Sequence, residues 1–132
     1  MPTMPDKQLL ESASAFLVSN VTASAEYYRD CLGFAFDGYW GEPPAFCMVW
    51  RDGHCIMLSQ VADVHAIRPV STVVPDTWDA YFWVRNIDTL FKEFVAQGAR
   101  ISYDPLLKHY GVEEAAVYDL DGYKLAFGQR ID

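Results

Sequence analysis

Few side chains in this sequence are of the types that perform chemistry, and they do not form a reactive motif. The histidines are His54, His65 and His109, and the cysteines are Cys31, Cys47 and Cys55. The sequence has no CxxC pair, no phosphate loop of the GxxxxGK kind and no suggestion of a Ser-His-Asp or Cys-His arrangement. His109 precedes Tyr110 in a segment that we expect to border a cavity, but no carboxylate partner for an acid–base role can be assigned to it. The sequence therefore predicts no catalytic residue.

Aromatic and acidic side chains alternate with apolar ones in residues 79–85. Alternate residues of a strand point to opposite faces, so Asp79, Tyr81 and Trp83 share one face and the other face is purely apolar. The apolar face is expected under a helix, and the mixed face suits the wall of a cavity. The rings of Tyr81 and Trp83 can stack on a planar or cationic ligand, and Asp79 can pair with a ligand amine. Cavity filling, dimer packing and a hydrogen-bonded strand end are the alternatives.

Further candidate ligand contacts come from other strands and from one loop. These candidates are Met57, Trp40, Phe46, Trp50, His109 and Tyr110. For the aromatic residues of the first half, packing within the sheet is the alternative to a ligand-binding rim. Glu113 and Glu114 begin a predicted strand, where either one faces the cleft or both belong to a solvated strand end.

Composition limits the classes of partner. The net charge of −8 argues against nucleic acid and favours cationic or neutral ligands, although acidity for solubility alone is an equal alternative. Three cysteines without a disulfide framework indicate reduced thiols and a cytoplasmic location. No apolar run is long enough for a membrane span, and residues 1–12 lack the pattern of a signal peptide.

The segment at residues 79–98 repeats an earlier one at residues 14–33. Each has a strand, an Asn that can cap a helix, an amphipathic helix and a Gly suited to a helix end. The two stretches are about 66 positions apart, half the chain. Each is followed by an Asp-Gly turn that opens a short strand. The simplest interpretation is a duplicated β-α-β-β-β unit.

This duplication sets the predicted organisation of the chain. The predicted strands are residues 12–19, 34–40, 45–50, 54–60, 79–85, 100–102, 112–119 and 123–129, and the predicted helices are residues 21–32 and 87–97. Residues 103–110, which contain Asp104-Pro105, are predicted to be a loop. The domains expected are an arm at 1–11, a first module at 12–61, a linker at 62–77 and a second module at 78–129, together one α+β domain.

Three motifs resemble those of the vicinal-oxygen-chelate superfamily of glyoxalases, bleomycin-resistance proteins and dioxygenases. They are VSNV at residues 18–21, YYRDCLGF at 27–34 and YDLDGYK at 118–124. The resemblance implies two βαβββ modules in a glyoxalase/bleomycin-resistance-type open barrel with a cavity between curved sheets.

In metal-dependent members of that superfamily, four strands each supply one metal ligand. The resemblance puts those positions at Ala13, Met57, Asp79 and Ala126. Alanine cannot bind a metal, and a thioether does not suit divalent ions of oxygen-ligand sites. We therefore expect no metal and no cofactor.

Three further stretches are most similar to the metal-free bleomycin-resistance branch: the strand FWVR at residues 82–85, the loop YGVE at 110–113 and the linker VVPD at 73–76. That resemblance implies a homodimer that sequesters a cationic or aromatic compound, such as a bleomycin-like antibiotic, in a cleft between subunits without modifying it. The alternatives are a metal-dependent lyase, isomerase or dioxygenase with a displaced metal site, and an interaction dimer without a small-molecule ligand.

Overall fold

A computed structural model describes residues 7–131 of the chain. Seven strands and two α-helices make up the described part, in an α+β arrangement. In chain order they are β1 (Ala13–Val18), α1 (Val21–Leu32), β2 (Phe46–Arg51), β3 (His54–Gln60), β4 (Ala80–Trp83), α2 (Ile87–Ala96), β5 (Arg100–Lys108), β6 (Val112–Tyr118) and β7 (Lys124–Arg130). Two short 3₁₀ turns, Val64–Ala66 and Val70–Thr72, lie in the connector between the halves. No helix within residues 7–131 is long and apolar enough to cross a membrane.

Each half of the chain builds its own sheet. The first sheet has the order β1-β3-β2, with β1 parallel to β3, and the second has the order β4-β7-β6-β5, with β4 parallel to β7. Helix α1 packs on β2 and β3, and α2 packs on β5, β6 and β7. Each sheet therefore has one helix-covered face and one helix-free face.

The local signals that predicted the helices are present in the structure. The Asn20 side chain accepts a 3.0 Å hydrogen bond from the backbone N–H of Ala23, and the Asn86 side chain accepts one of the same length from Thr89. Gly33 ends α1 with φ of 76°, a left-handed conformation that costs glycine little. The prediction for α1 is confirmed at both ends, and α2 ends one residue earlier than predicted.

One strand prediction and one loop prediction are wrong. Residues 34–40 form no strand and meet the first sheet only at isolated bridges from Ala35 to Trp50 and from Trp40 to Phe46. Between these bridges the segment passes through Gly38, which has no side chain to pack on a sheet. The first half therefore has the order β-α-β-β, whereas the second has β-α-β-β-β.

The predicted loop at residues 103–110 is mostly strand, because β5 continues to Lys108. Pro105 is accommodated since β5 is an edge strand, where a missing N–H removes no necessary ladder bond. The register of β5 against β6 shifts between Tyr103 and Leu106, which absorbs this irregular stretch.

The two halves are joined by side chains of α1 that reach the β6–β7 hairpin. The Tyr28 hydroxyl donates a 2.6 Å hydrogen bond to Oδ2 of Asp119, and the Tyr27 hydroxyl donates one of 2.6 Å to the carbonyl of Tyr118. The rings of Phe16 and Tyr123 stack with centroids 4.2 Å apart. These contacts bury the helix-covered faces in one continuous core.

Candidate ligand-binding site

A buried carboxylate lies on the helix-free face of the second sheet. Glu114 in β6 is fully buried, and the hydroxyl groups of three tyrosines donate hydrogen bonds to it. The Tyr81 hydroxyl lies 2.8 Å from Oε1, the Tyr110 hydroxyl also bonds Oε1, and the Tyr103 hydroxyl bonds Oε2. These donors come from β4, β5 and the turn before β6, so sheet pairing brings distant parts of the sequence to one carboxylate.

Burial and the neighbouring carboxylate keep these phenols protonated. Desolvation raises the pKa of Tyr81, Tyr103 and Tyr110 well above the ordinary value for tyrosine, and the hydrogen bond to Glu114 raises each pKa further. The three phenols therefore remain hydrogen-bond donors across the physiological pH range.

An aromatic ladder runs beside this cluster. The ring centroids of Trp78 and Tyr81 are 4.9 Å apart, and those of Tyr81 and Trp83 are also 4.9 Å apart. Trp83 is 59% exposed, and the Arg130 guanidinium lies 5.1 Å from its ring centroid. One face of Trp83 is thus already next to a cation, and the exposed part of the ring remains open to a flat ligand.

A cavity of about 440 Å³ adjoins the carboxylate cluster. Trp78, Tyr103, His109, Tyr110 and Glu114 contribute to its walls, as do Lys108 and Lys124. The ammonium groups of Lys108 and Lys124 lie 5.1 and 5.9 Å from the ring centroid of Tyr103. The cavity lining thus combines aromatic rings, the buried carboxylate of Glu114, the exposed carboxylate of Asp76 and two lysines.

A larger cavity of about 900 Å³ lies between the two halves. The unpaired edges of β1 and β4 border it, and Arg51 and Glu93 form an ion pair in its wall at 2.6 Å. Tyr81 and Trp83 also line this cavity. Tyr81 therefore lines the larger cavity, and its hydroxyl bonds the carboxylate that lines the smaller one.

Asp79 lines neither cavity and holds the connector instead. Its Oδ1 accepts a 2.5 Å hydrogen bond from the backbone N–H of Val70, and its Oδ2 accepts one of 2.9 Å from that of Lys124. The Ser71 hydroxyl also bonds Oδ2, at 3.3 Å. Both oxygens are therefore engaged in fixing the connector against β7.

The side chains do not fit the metal that the superfamily resemblance implies. Ala13 and Ala126 supply no donor atom, Met57 supplies only a thioether, and the oxygens of Asp79 are occupied as described. No group of three or more His, Cys, Asp or Glu side chains within the described residues could hold a metal ion.

The remaining candidates of the first half lie around the first sheet. Met57 and Phe46 are half-buried, whereas Trp40 and Trp50 are more exposed. None of them lines either cavity. The structure brings Tyr81 together with Trp83, and His109 with Tyr110, but it separates both pairs from these residues.

The sequence does not predict the centre of the cluster. It leaves Glu113 and Glu114 as alternatives, and it predicts a loop at Tyr103, which lies in β5. The strand at residues 112–118 is apolar on both faces, so alternation could not tell whether Glu113 or Glu114 points to the interior. The feature of the sequence that indicates such a cluster is a carboxylate within a largely apolar strand. If that carboxylate is buried, it requires hydrogen-bond partners.

Comparison with known proteins identifies the fold. A family model described as the Glyoxalase/Bleomycin resistance protein/Dioxygenase superfamily matches residues 13–127. No curated protein sequence matches this chain.

Solved structures with this fold share little sequence with the chain. TioX from Micromonospora sp. ML1 has a TM-score of 0.72 at 16% identity, with 92% of this chain and 99% of that chain covered. A glyoxalase-related enzyme from Clostridium phytofermentans has a TM-score of 0.73 at 16% identity, with 96% and 98% covered. A bleomycin resistance determinant encoded on the transposon Tn5 has a TM-score of 0.72 at 15% identity, with 92% and 98% covered. At these identities the likeness establishes the fold alone.

Proposed function

Because the chain belongs to the glyoxalase/bleomycin resistance protein/dioxygenase superfamily, we propose that it is a metal-free protein that binds and sequesters a small aromatic compound. The observation that carries this proposal is the ladder of Trp78, Tyr81 and Trp83, three rings in contact at tilted angles beside a cavity with a buried polar group. Such a combination of apolar rings and few polar groups is typical of small-molecule sites.

The arrangement of charges favours an aromatic ligand over one that is recognised only by its positive charge. The chain's own cations already lie over the rings that would attract a ligand cation, with Arg130 at Trp83 and Lys108 at Tyr103. The net charge of −8 still attracts a cationic compound to the protein as a whole. A planar aromatic compound with a positive charge at its periphery satisfies both conditions.

Metal-free binding is supported by the donors that are present. The superfamily positions offer only Asp79 as a carboxylate, and its hydrogen bonds to the connector would have to break before it could coordinate an ion. This argues against the metal-dependent enzyme alternative.

We also propose that a second copy of the chain covers the helix-free face of the first sheet. Leu17 is 40% exposed and Trp50 is 37% exposed on that face, next to the half-buried Met48 and Met57. A contiguous exposed apolar face of this kind is typical of an interface. Sedimentation equilibrium should give twice the chain mass, and Leu17→Asp should shift the protein to monomer, whereas Leu107→Asp, at an exposed apolar residue of β5, should not.

The ligand proposal is tested with bleomycin, because one structural neighbour is described as a bleomycin resistance determinant. Protein dialysed against a chelator is analysed for metals and then melted with and without saturating copper-free bleomycin. We expect no stoichiometric metal and a rise in melting temperature with the ligand. Stoichiometric Zn, Ni, Mn or Fe that survives dialysis would contradict the metal-free proposal, and an unchanged melting temperature would reject this ligand.

A further inference from the structure

The carboxylate of Glu114 has an incomplete set of hydrogen-bond donors. Oε1 accepts from Tyr81 and Tyr110, whereas Oε2 accepts only from Tyr103. An ionised carboxylate offers about four acceptor positions. Among the described residues one position on Oε2 is therefore unfilled, although the residue is fully buried and lines the cavity of about 440 Å³.

The three tyrosines differ in how firmly they are held. Tyr81 and Tyr103 belong to strands β4 and β5 and are half-buried. Tyr110 lies in the turn between β5 and β6 and is 45% exposed. Its side chain is also a wall of the same cavity. Tyr110 is therefore the donor that can move into solvent without disturbing a strand, and its departure frees a second acceptor position, on Oε1, at the part of the cavity wall that Tyr110 forms.

The cations of the cavity select the type of donor. Lys108 and Lys124 line the cavity together with Glu114, and both ammonium groups lie near the ring of Tyr103. A ligand ammonium placed at Glu114 would be repelled by these two half-buried charges, whereas the carboxylate of Asp76, which also lines the cavity, is exposed to solvent and more strongly screened. A neutral hydroxyl group is not repelled and can donate a hydrogen bond to the carboxyl group.

We propose that Glu114 is the polar anchor of the binding site and recognises a neutral hydroxyaryl group, which replaces Tyr110 as a hydrogen-bond donor. The ring that carries this hydroxyl would lie against Trp78, the aromatic wall of the cavity. This inference rests on the proposed function and adds the chemical class of the group that enters the cavity.

The test compares three naphthalene probes of nearly equal size by calorimetric titration of the full-length protein. They are 2-naphthol, 2-methoxynaphthalene and 2-naphthylmethylamine. The variants are Glu114→Gln and Tyr110→Phe, with Tyr118→Phe as the matched control. Tyr118 lies in the same strand as Glu114, and its hydroxyl makes no hydrogen bond within the described residues.

We expect the wild type to bind 2-naphthol about tenfold more tightly than the methyl ether, since only the naphthol can donate. The amine should bind more weakly than 2-naphthol. Tyr110→Phe should tighten naphthol binding about threefold and leave the ether unchanged, because no internal donor has to be displaced. Glu114→Gln should remove most of the preference for the naphthol, and Tyr118→Phe should change neither affinity.

The outcomes separate this inference from the proposed function. Equal affinities for naphthol and ether in the wild type, or no effect of Tyr110→Phe, would overturn the anchor while aromatic binding stands. Tighter binding of the amine would overturn the assignment of a neutral donor. If neither the probes nor bleomycin bind to the folded wild type at millimolar concentration, both the inference and the proposed function fail.

Discussion

Gln60 and Gln129 perform the same structural role at equivalent places in the two halves. The Gln60 side chain accepts a 2.8 Å hydrogen bond from the backbone N–H of Val21, the first residue of α1. The Gln129 side chain accepts one of 2.9 Å from that of Ile87, the first residue of α2. Each glutamine lies at the end of the strand that pairs in parallel with the first strand of its own half. The duplication therefore extends to a tertiary contact that fixes each helix on its sheet.

Removing either glutamine should destabilise the protein by a similar amount. Gln60→Ala and Gln129→Ala each leave a helix N–H without its acceptor, and we expect each to lower the free energy of unfolding by about 1 kcal/mol. Urea denaturation measures this loss, with Gln8→Ala as an exposed control. A loss confined to one of the two variants would contradict the structural equivalence.

The pair of Tyr28 and Asp119 predicts a dependence of stability on pH. Burial raises the pKa of Asp119 from 3.8 to about 6, against the lowering effect of the hydrogen bonds from Tyr28 and the backbone. A carboxyl with a raised pKa binds its proton more tightly in the folded state. Its contribution therefore favours folding below pH 4, falls as the pH rises to about 6 and is constant above that.

The variant Asp119→Asn isolates this contribution, since the amide cannot titrate. The difference in unfolding free energy between wild type and Asp119→Asn should change by about 2 kcal/mol between pH 4 and pH 7, in the direction that makes the wild type relatively weaker at pH 7. Denaturation at several pH values measures it, with Asp37→Asn, at an exposed position, as control. A difference that does not vary with pH would contradict the raised pKa.

Gly128 couples the packing of β7 to the carboxylate cluster. A side-chain carbon at this position would collide with the hydroxyl of Tyr81 and, at 2.6 Å, with Cγ1 of Val112. Gly128→Ala should therefore move Tyr81 away from Glu114 and destabilise the protein by about 1 to 3 kcal/mol. Urea denaturation followed by tryptophan fluorescence reports both effects, because Tyr81 packs between Trp78 and Trp83.

Gly38→Ala is the matched control for this variant, since an added carbon there meets no atom within 4 Å and φ is not in the left-handed region. We expect Gly38→Ala to be neutral or slightly stabilising. If Gly38→Ala and Gly128→Ala change the free energy of unfolding and the tryptophan fluorescence equally, the close contact between Gly128 and Tyr81 is not the cause of the effects of Gly128→Ala.

Sequence patterns predicted those features of the fold that depend on residues close together along the chain. The caps Asn20 and Asn86 mark the starts of both helices, and the α+β class follows from the repeated strand–helix pattern. Strand ends were less predictable, as β5 shows, because an edge strand tolerates the Pro105 that suggested a loop. Whether a strand tolerates a proline depends on which strands lie beside it in the sheet, and local sequence patterns do not predict this.

The site was predicted in part, because its aromatic wall and its anchor have different origins. Tyr81 and Trp83 belong to one strand whose alternation is visible in the sequence. Glu114 becomes a buried acceptor only when β4, β5 and the turn at Tyr110 converge on it. That convergence is a property of sheet pairing and could not be read from spacing along the chain.

The central claim is that an aromatic ligand binds along the ladder without a metal. The most direct measurement is a calorimetric titration of chelator-dialysed protein with copper-free bleomycin, for the wild type, for Trp83→Ala and for Leu107→Ala, an exposed apolar control outside both cavities. The account predicts a Kd of about 1 µM or lower for the wild type, about −8 kcal/mol, a loss of about tenfold or more in Trp83→Ala and no change in Leu107→Ala. Binding that requires added divalent metal, or that is unaffected by Trp83→Ala, would contradict it.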